Sequence, residues 1–185
     1  MAKKATKRAP KKKSKTGSNS ENWRKILRWT NIGFLACFIA VFIVFRFVPI
    51  LTTPYILSEK SRLGSVHSEW MPNEEISDTL KLTVVAAEDV NFCQHWGFDM
   101  SAIRAAIQDG GDRGASTLTQ QVVKNTFLWH GRSWVRKTLE AFLTPLVELF
   151  WSKERILEVY LNIAEFDEGV FWRRGRVPAL FRHLL

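Results

Sequence analysis

The sequence predicts a mainly α-helical protein in which one N-terminal transmembrane helix carries a helical extramembrane domain. Two observations give the anchor: a strongly basic tail, and an uninterrupted apolar run directly after it. The third gives the domain: five later segments repeat apolar residues at three- and four-residue intervals behind good N-caps, and none alternates as a strand would.

The tail, residues 1–30, holds eleven Lys/Arg (Lys3 through Arg28) against the single acid Glu21, a balance of +10. The whole chain is +9, so the remainder sums to −1. The basic character therefore belongs to the tail, and a nucleic-acid partner loses its support. A block such as Lys11-Lys12-Lys13 repels itself and has no apolar residues to bury.

Residues 31–51 are the predicted span. Ile32 to Phe45 is fourteen uncharged residues, and Phe47 to Leu51 extends the run past Arg46. That is about twenty residues, the length needed to cross roughly 30 Å of hydrocarbon. Arg46 is expected to snorkel to the far interface, with Trp23 and Trp29 marking the near one and Tyr55 the far one. A cleaved signal is the competing reading, but the run is long for one and no small-residue cleavage site follows Pro49. The Lys/Arg excess before the span orients the tail to the cytoplasm and the rest outside. Cys37 and Cys93 have no framework spacing and are expected to be unpaired thiols.

Residues 52–75 read as a neck, with Pro54, Gly64 and Pro72 and little periodicity. The extramembrane domain occupies 76–171. Ser77 opens a helix that runs through Leu80, Val84 and Val85 to Glu88. Asp99 caps a second, carrying Ile103, Ala106 and Ile107 and stopping at Gly110-Gly111. The third covers 115–128. Ser133 caps a fourth with a broad apolar stripe and a bend at Pro145, and a fifth runs from Ser152 to Asn162.

Four clusters carry groups able to do chemistry. Glu88 ends an apolar helix, where partial desolvation would suit a carboxylate for general-base work; taken alone, it reads as a solvated helix end. His95 alone reads as a structural hydrogen-bonder. The run Ser116-Thr117-Leu118-Thr119-Gln120-Gln121, with Lys124 and Asn125 one turn later, suits hydrogen bonding to sugar hydroxyls or phosphate oxygens, or a capped polar helix face. Arg132, Arg136 and Lys137 beside Glu140 would hold a pyrophosphate, or form ordinary surface pairs such as Arg136 with Glu140. Interleaved Phe127, Leu128, Trp129 and Trp134 suit either a surface dipping into headgroups or core packing. The fourth cluster, Lys153 to Asn162, reads without context as an amphipathic structural helix.

Taken in order, these clusters resemble the family 51 glycosyltransferases, most closely their monofunctional biosynthetic peptidoglycan branch. The matching blocks are EDVNFCQHWGFD (88–99), GASTLTQQVVKN (114–125), RKTLE (136–140) and KERILEVYLNIAEF (153–166). The resemblance implies a lysozyme-like helical glycosyltransferase head with a membrane-dipping lobe, at the bacterial inner membrane, with the head periplasmic. It implies lipid II and the growing glycan strand as partners, with other cell-wall synthesis proteins beside them. Glu88 matches the catalytic base, and Glu140 the second acid, which organises the donor's pyrophosphate. Lys124, Arg132 and Lys137 would neutralise the leaving group, and Ser116, Thr117, Gln120 and Gln121 would line the cleft. Asp89 and Asn125 match supporting positions behind them. No cofactor is implied beyond a divalent cation, Mg or Mn, at the pyrophosphate.

The family pattern fails after Phe171. Residues 172–185 hold four Arg and no acid, with Pro178 breaking any helix. One choice of codons for 172–182 reads, one base along, Gly-Val-Glu-Ala-Gly-Phe-Arg-His-Tyr-Phe, the segment the family carries there. A frameshifted, truncated C-terminus is thus the expectation, and resequencing across codon 171 tests it. Loss of the closing helices is expected to expose Leu157, Tyr160 and Leu161. Two other readings stand beside the polymerase. One is a lytic muramidase-like enzyme, for which a pyrophosphate grip would be useless. The other is an inactive relic or non-catalytic partner in the wall-building complex.

Overall fold

The structure, a computed structural model, describes residues 16–110, 114–129, 131, 133–165, 169 and 171, with side chains from residue 22 onward. Residues 172–185, where the family pattern fails, and Arg132 lie outside the described residues. Seven α-helices and one short 3-10 turn make up the regular structure there.

The first helix, α1 (Thr16–Phe47), includes a stretch, Asn22–Phe47, that is long and apolar enough to cross a membrane. Its 26 residues reach about 39 Å at 1.5 Å per residue. It stops four residues before the predicted end of the span. Pro49 lacks an N–H and disfavours helical backbone at Val48, which closes the last turn through Val48 N–H on the Val44 carbonyl at 3.0 Å.

The chain divides into two compact units between Val41 and Phe42. In the second unit the last turn of α1 is a folded part of the head. Phe42 is 2% exposed, its ring 5.3 Å from Phe127 and 5.7 Å from Phe150. The orphan carbonyls of this helix end are capped by side chains more than a hundred residues away. Trp151 Nε1 donates to Phe42 O at 2.8 Å, and Arg155 Nη2 donates to Phe45 O at 2.8 Å and Val48 O at 2.5 Å. Arg46 was expected to snorkel. Its Nη1 donates to Phe150 O at 2.7 Å, at a helix C-terminus whose free carbonyls attract a cation.

The neck contains a helix, α2 (Pro54–Leu63). The residues that read as breakers are its caps. Thr53 accepts from Ile56 N–H, Pro54 is the first helical residue, and Gly64 ends the helix at φ +80°. Tyr55, expected at the far interface, donates its hydroxyl to Glu165 instead. Burial and that carboxylate push its proton affinity up. The chain then returns past His67, whose N–H donates to Gly169 O and whose carbonyl accepts from Phe171 N–H.

After the 3-10 turn (Asn73–Glu75) come α3 (Asp78–Glu88), α4 (Met100–Gln108), α5 (Leu118–Phe127), α6 (Trp134–Phe150) and α7 (Lys153–Ile163). Asp99 and Ser133 cap their helices as predicted, and Ser77 and Ser152, predicted as helix starts, are the N-caps of theirs. Helix α6 continues through Pro145. Helix α5 begins three residues later than predicted because Thr117 is its N-cap.

Helix α5 is the centre of the core, packed by α2, α6 and α7. Leu118, Val122 and Val123 on α5 are fully buried, as are Ile156, Val159, Leu161 and Ile163 on α7, the helix it packs on. Leu157, Tyr160 and Leu161 were expected to be exposed, and all three are buried. These three positions of α7 therefore form no exposed apolar patch. Both cysteines are free, as expected.

Candidate active site

Glu88 is the last residue of α3, held in place by Leu80 and Val84 beneath it. Its side chain is exposed, so the protein alone does not supply the desolvation expected of it. Its Oε2 accepts from Gln121 Nε2 at 3.1 Å. Gln121 therefore aims the carboxylate, and Lys124 follows one turn later on the same face of α5.

Asp89 supports this corner from below. Its buried carboxylate accepts from His95 Nε2 at 2.9 Å and from the Leu118 N–H at 3.0 Å, at the positive end of α5. His95 Nδ1 accepts from Gly97 N–H at 3.2 Å, which places the ring proton on Nε2 for Asp89. Thr117 Oγ1 accepts from Gln120 N–H and donates to Gly97 O at 2.7 Å, while Gln120 Oε1 accepts from Thr117 N–H. Of the four side chains expected to line the cleft, Thr117 and Gln120 thus spend these groups on a capping box. Ser116 is exposed beside the cavity described below.

A second layer, which no local pattern in the sequence marks, fixes the 89–97 loop. Lys153 Nζ donates to His95 O and to Glu148 Oε1, both at 2.8 Å, and lies 4.4 Å above the Phe92 ring. Glu148 Oε1 also accepts from Thr119 Oγ1 at 2.6 Å. Gly97, at φ +86°, fits against this layer only because it has no side chain: a Cβ would sit 2.5 Å from Thr144 Cγ2. A left-handed backbone costs a non-glycine residue about 1–2 kcal/mol, and overpacking adds about 1–3. Gly97→Ala is expected to lower the melting temperature by about 10 °C, which thermal unfolding followed by tryptophan fluorescence checks.

Glu140 is not the surface acid that its i, i+4 spacing allows. Its side chain is 4% exposed, paired with Arg136 Nη1 at 3.2 Å and with Lys137 Nζ. Arg136 is mostly buried, and its Nε–H has no partner among the described residues. Lys124 lies in the field of the same three residues. Burial pushes its proton affinity down, and Glu140 opposes that shift. The folded state therefore binds the Lys124 proton less firmly than the unfolded chain, so the charge costs stability below the lysine range, and that cost falls as pH rises through the lowered pKa. Lys124→Met is expected to leave the melting temperature unchanged or raise it by roughly 2–4 °C while weakening binding of pyrophosphate-bearing substrate. Thermal melts beside substrate titration check both. Asn125 is buried behind this face.

These residues do not suit a metal cage. The described residues contain no cluster of three His, Cys, Asp or Glu able to hold an ion. Glu140 already carries two cations, Arg136 and Lys137.

Beside Glu88 lies a cavity of about 480 Å³, within the range of small-ligand sites. Glu88, Asn91, Asp99, Ser101, Ala102 and Ser116 are among its lining residues. The sequence singles out Glu88 and Ser116 and marks Asp99 only as a cap. Asn91, Ser101 and Ala102 carry no signal there, since a cavity wall built from a loop and a helix has no sequence period.

Residues 57–175 match the Transglycosylase family. The chain is 52% identical over 171 residues to the biosynthetic peptidoglycan transglycosylase of Jannaschia sp. (strain CCS1), covering 92% of this chain and 71% of that protein. It is 53% identical over 148 residues to the protein of the same name from Pseudomonas putida (strain W619), covering 75% of this chain and 63% of that one. With the Pseudomonas syringae pv. syringae (strain B728a) protein the identity is 48% over 168 residues, 85% and 70% of the two chains. The chain thus spans between 63% and 71% of the length of these relatives. It belongs to the transglycosylase family, the glycosyltransferases of peptidoglycan synthesis.

Proposed function

We propose that this chain polymerises lipid II into β-1,4 glycan, with Glu88 as the general base. The observation that carries the reading is the position of Glu88. Its carboxylate borders a cavity whose described lining has no cation, and it is held by Gln121, one turn before Lys124 on α5. Neutral sugar suits the first side and pyrophosphate suits the second.

Glu88 takes the proton from the acceptor's 4-hydroxyl. That oxygen attacks the donor's anomeric carbon and forms the new C–O bond. The bond from that carbon to undecaprenyl pyrophosphate breaks, and the diphosphate leaves with the electron pair. One displacement inverts the α-linked donor to a β-linked glycan. Lys124, Lys137 and Arg136, together with Arg132, neutralise the charge that develops on the leaving group. Glu140 holds Arg136 and Lys137 in place for that work.

A polyprenyl substrate stays in the bilayer, which suits an anchored enzyme with an apolar face. Trp134, Val135 and Phe142 on α6 are 88%, 65% and 61% exposed, and Trp129 is exposed before them. Phe127 and Leu128 turn to the core instead. The basic tail favours a cytoplasmic N-terminus and a periplasmic head at the inner membrane.

The test is to incubate the detergent-purified chain with labelled lipid II and follow undecaprenyl pyrophosphate together with glycan. Release of the diphosphate in step with glycan growth is the expected result. Shortening of preformed glycan would assign the lytic reading instead, and neither activity would leave a non-catalytic member of the family.

A further inference from the structure

The cavity beside Glu88 is unusual in what its α4 wall offers a ligand. Asp99, the N-cap of α4, is buried and accepts from Ser101 N–H at 2.8 Å, from Ala102 N–H at 2.9 Å and from the Ser101 hydroxyl. These donors hold its carboxyl below the usual carboxylate range, so it is ionised and can only accept. Asn91 approaches it at 2.8 Å through Nδ2. An ionised carboxylate tolerates only the NH₂ end of an amide there, so the rotation of Asn91 is fixed by chemistry. Its Oδ1 is left without a partner among the described residues, on a side chain that lines the cavity.

Ser101 is committed in the same sense. Its proton goes to Asp99, and only oxygen lone pairs remain, one of them toward Asn91 Nδ2 at 3.5 Å. This wall therefore presents acceptors, and Glu88 adds another. The described lining holds three acids, Glu88, Asp89 and Asp99, and neither lysine nor arginine. Such a cavity repels a pyrophosphate and takes a neutral ligand rich in O–H and N–H donors. The small side chains of Ala102 and Ala105 leave it room.

We infer that Asn91, its amide locked by Asp99, accepts a hydrogen bond from a hydroxyl or acetamido N–H of the acceptor sugar, and so helps to hold that sugar in the cavity beside Glu88. This rests on Glu88 being the base that activates the acceptor. Asn91 is then a specificity-determining residue, and it acts on binding rather than on the proton transfer.

The test compares Asn91→Leu, which keeps the shape and removes the acceptor, with Asn91→Ala as a second variant should the first fold poorly. Two readouts are taken: the lipid II concentration at half-maximal polymerisation, and binding of the free N-acetylglucosaminyl-β-1,4-N-acetylmuramic acid disaccharide by saturation-transfer NMR. Loss of one neutral hydrogen bond is expected to raise half-saturation about five- to tenfold, with kcat within about twofold, and to weaken disaccharide binding in parallel. Unchanged half-saturation and unchanged disaccharide binding would overturn the inference while leaving Glu88's role standing. Absence of polymer from the parent would instead sink the polymerase reading. The NMR comparison would then still decide whether Asn91 holds the sugar, and equal binding by parent and variants would overturn it.

Discussion

Replacing Glu88 by glutamine is expected to lower the rate of glycan polymerisation on the order of 10³-fold, the usual contribution of a positioned general base. The change removes one charge and no volume, at an exposed residue whose neighbour Gln121 can hydrogen-bond an amide as well as a carboxylate. The fold should not register it: thermal melts of parent and variant should coincide. The loss should fall on kcat with half-saturation nearly unchanged, because Glu88 is asked to take a proton in the transition state rather than to hold the ground state. A matching rise in half-saturation would mean that Glu88 binds substrate and that the base lies elsewhere.

The second large effect is at Glu140. Glu140→Gln leaves Arg136 beneath the surface without its counter-charge and removes the favourable field at half-buried Lys124. Breaking a buried pair from one side costs about 3–5 kcal/mol. The figure belongs at its lower end here, since Lys137 is 46% exposed and can turn to water. A fall in melting temperature of roughly 6–12 °C is expected, together with loss of polymerisation, because the cations that should meet the pyrophosphate are no longer held in register. Lys124→Met in the Glu140→Gln background should recover part of the stability and none of the activity. Thermal melts and lipid II turnover on the two variants check this, and equal stability of Glu140→Gln and parent would show that the buried pairing contributes nothing.

The features legible in the sequence and those hidden from it divide along sequence distance. The starts of α3, α4, α6 and α7 were legible because a cap is a local contract: Ser77, Asp99, Ser133 and Ser152 each bond a backbone N–H two or three residues on. The neck helix α2 was missed for a local reason too, since Thr53-Pro54 and Gly64 punctuate a helix as well as they interrupt one. Glu88, Gln121, Glu140 and Lys137 were legible through ordered blocks of family resemblance, and the structure brings Glu88 to Gln121 and Glu140 to Lys137.

The rest needed three dimensions. Spacing shows that Arg136 can reach Glu140, but not that the pair lies buried where its breakage is costly. Lys153 looked like the first residue of a structural helix, yet it reaches His95 O, 58 positions away, and Glu148, and through them steadies the loop that begins at Glu88 and Asp89. Arg155 caps carbonyls at the end of α1 from 110 and 107 positions away. No window of sequence contains both partners of such contacts. The forecast that Leu157, Tyr160 and Leu161 would be exposed failed for the same reason: α7 packs on α5 and on the 3-10 turn, both far from it in the chain.

The most direct test of the central claim is a single gel. The detergent-solubilised 185-residue chain and its Glu88→Gln variant are incubated with equal labelled lipid II, after equal lipid II binding has been established for both. Long, muramidase-sensitive glycan is expected from the parent and none from the variant. Equal polymer from both would remove Glu88 from the chemistry, and no polymer from the parent despite bound lipid II would contradict the claim that these residues form a working glycosyltransferase.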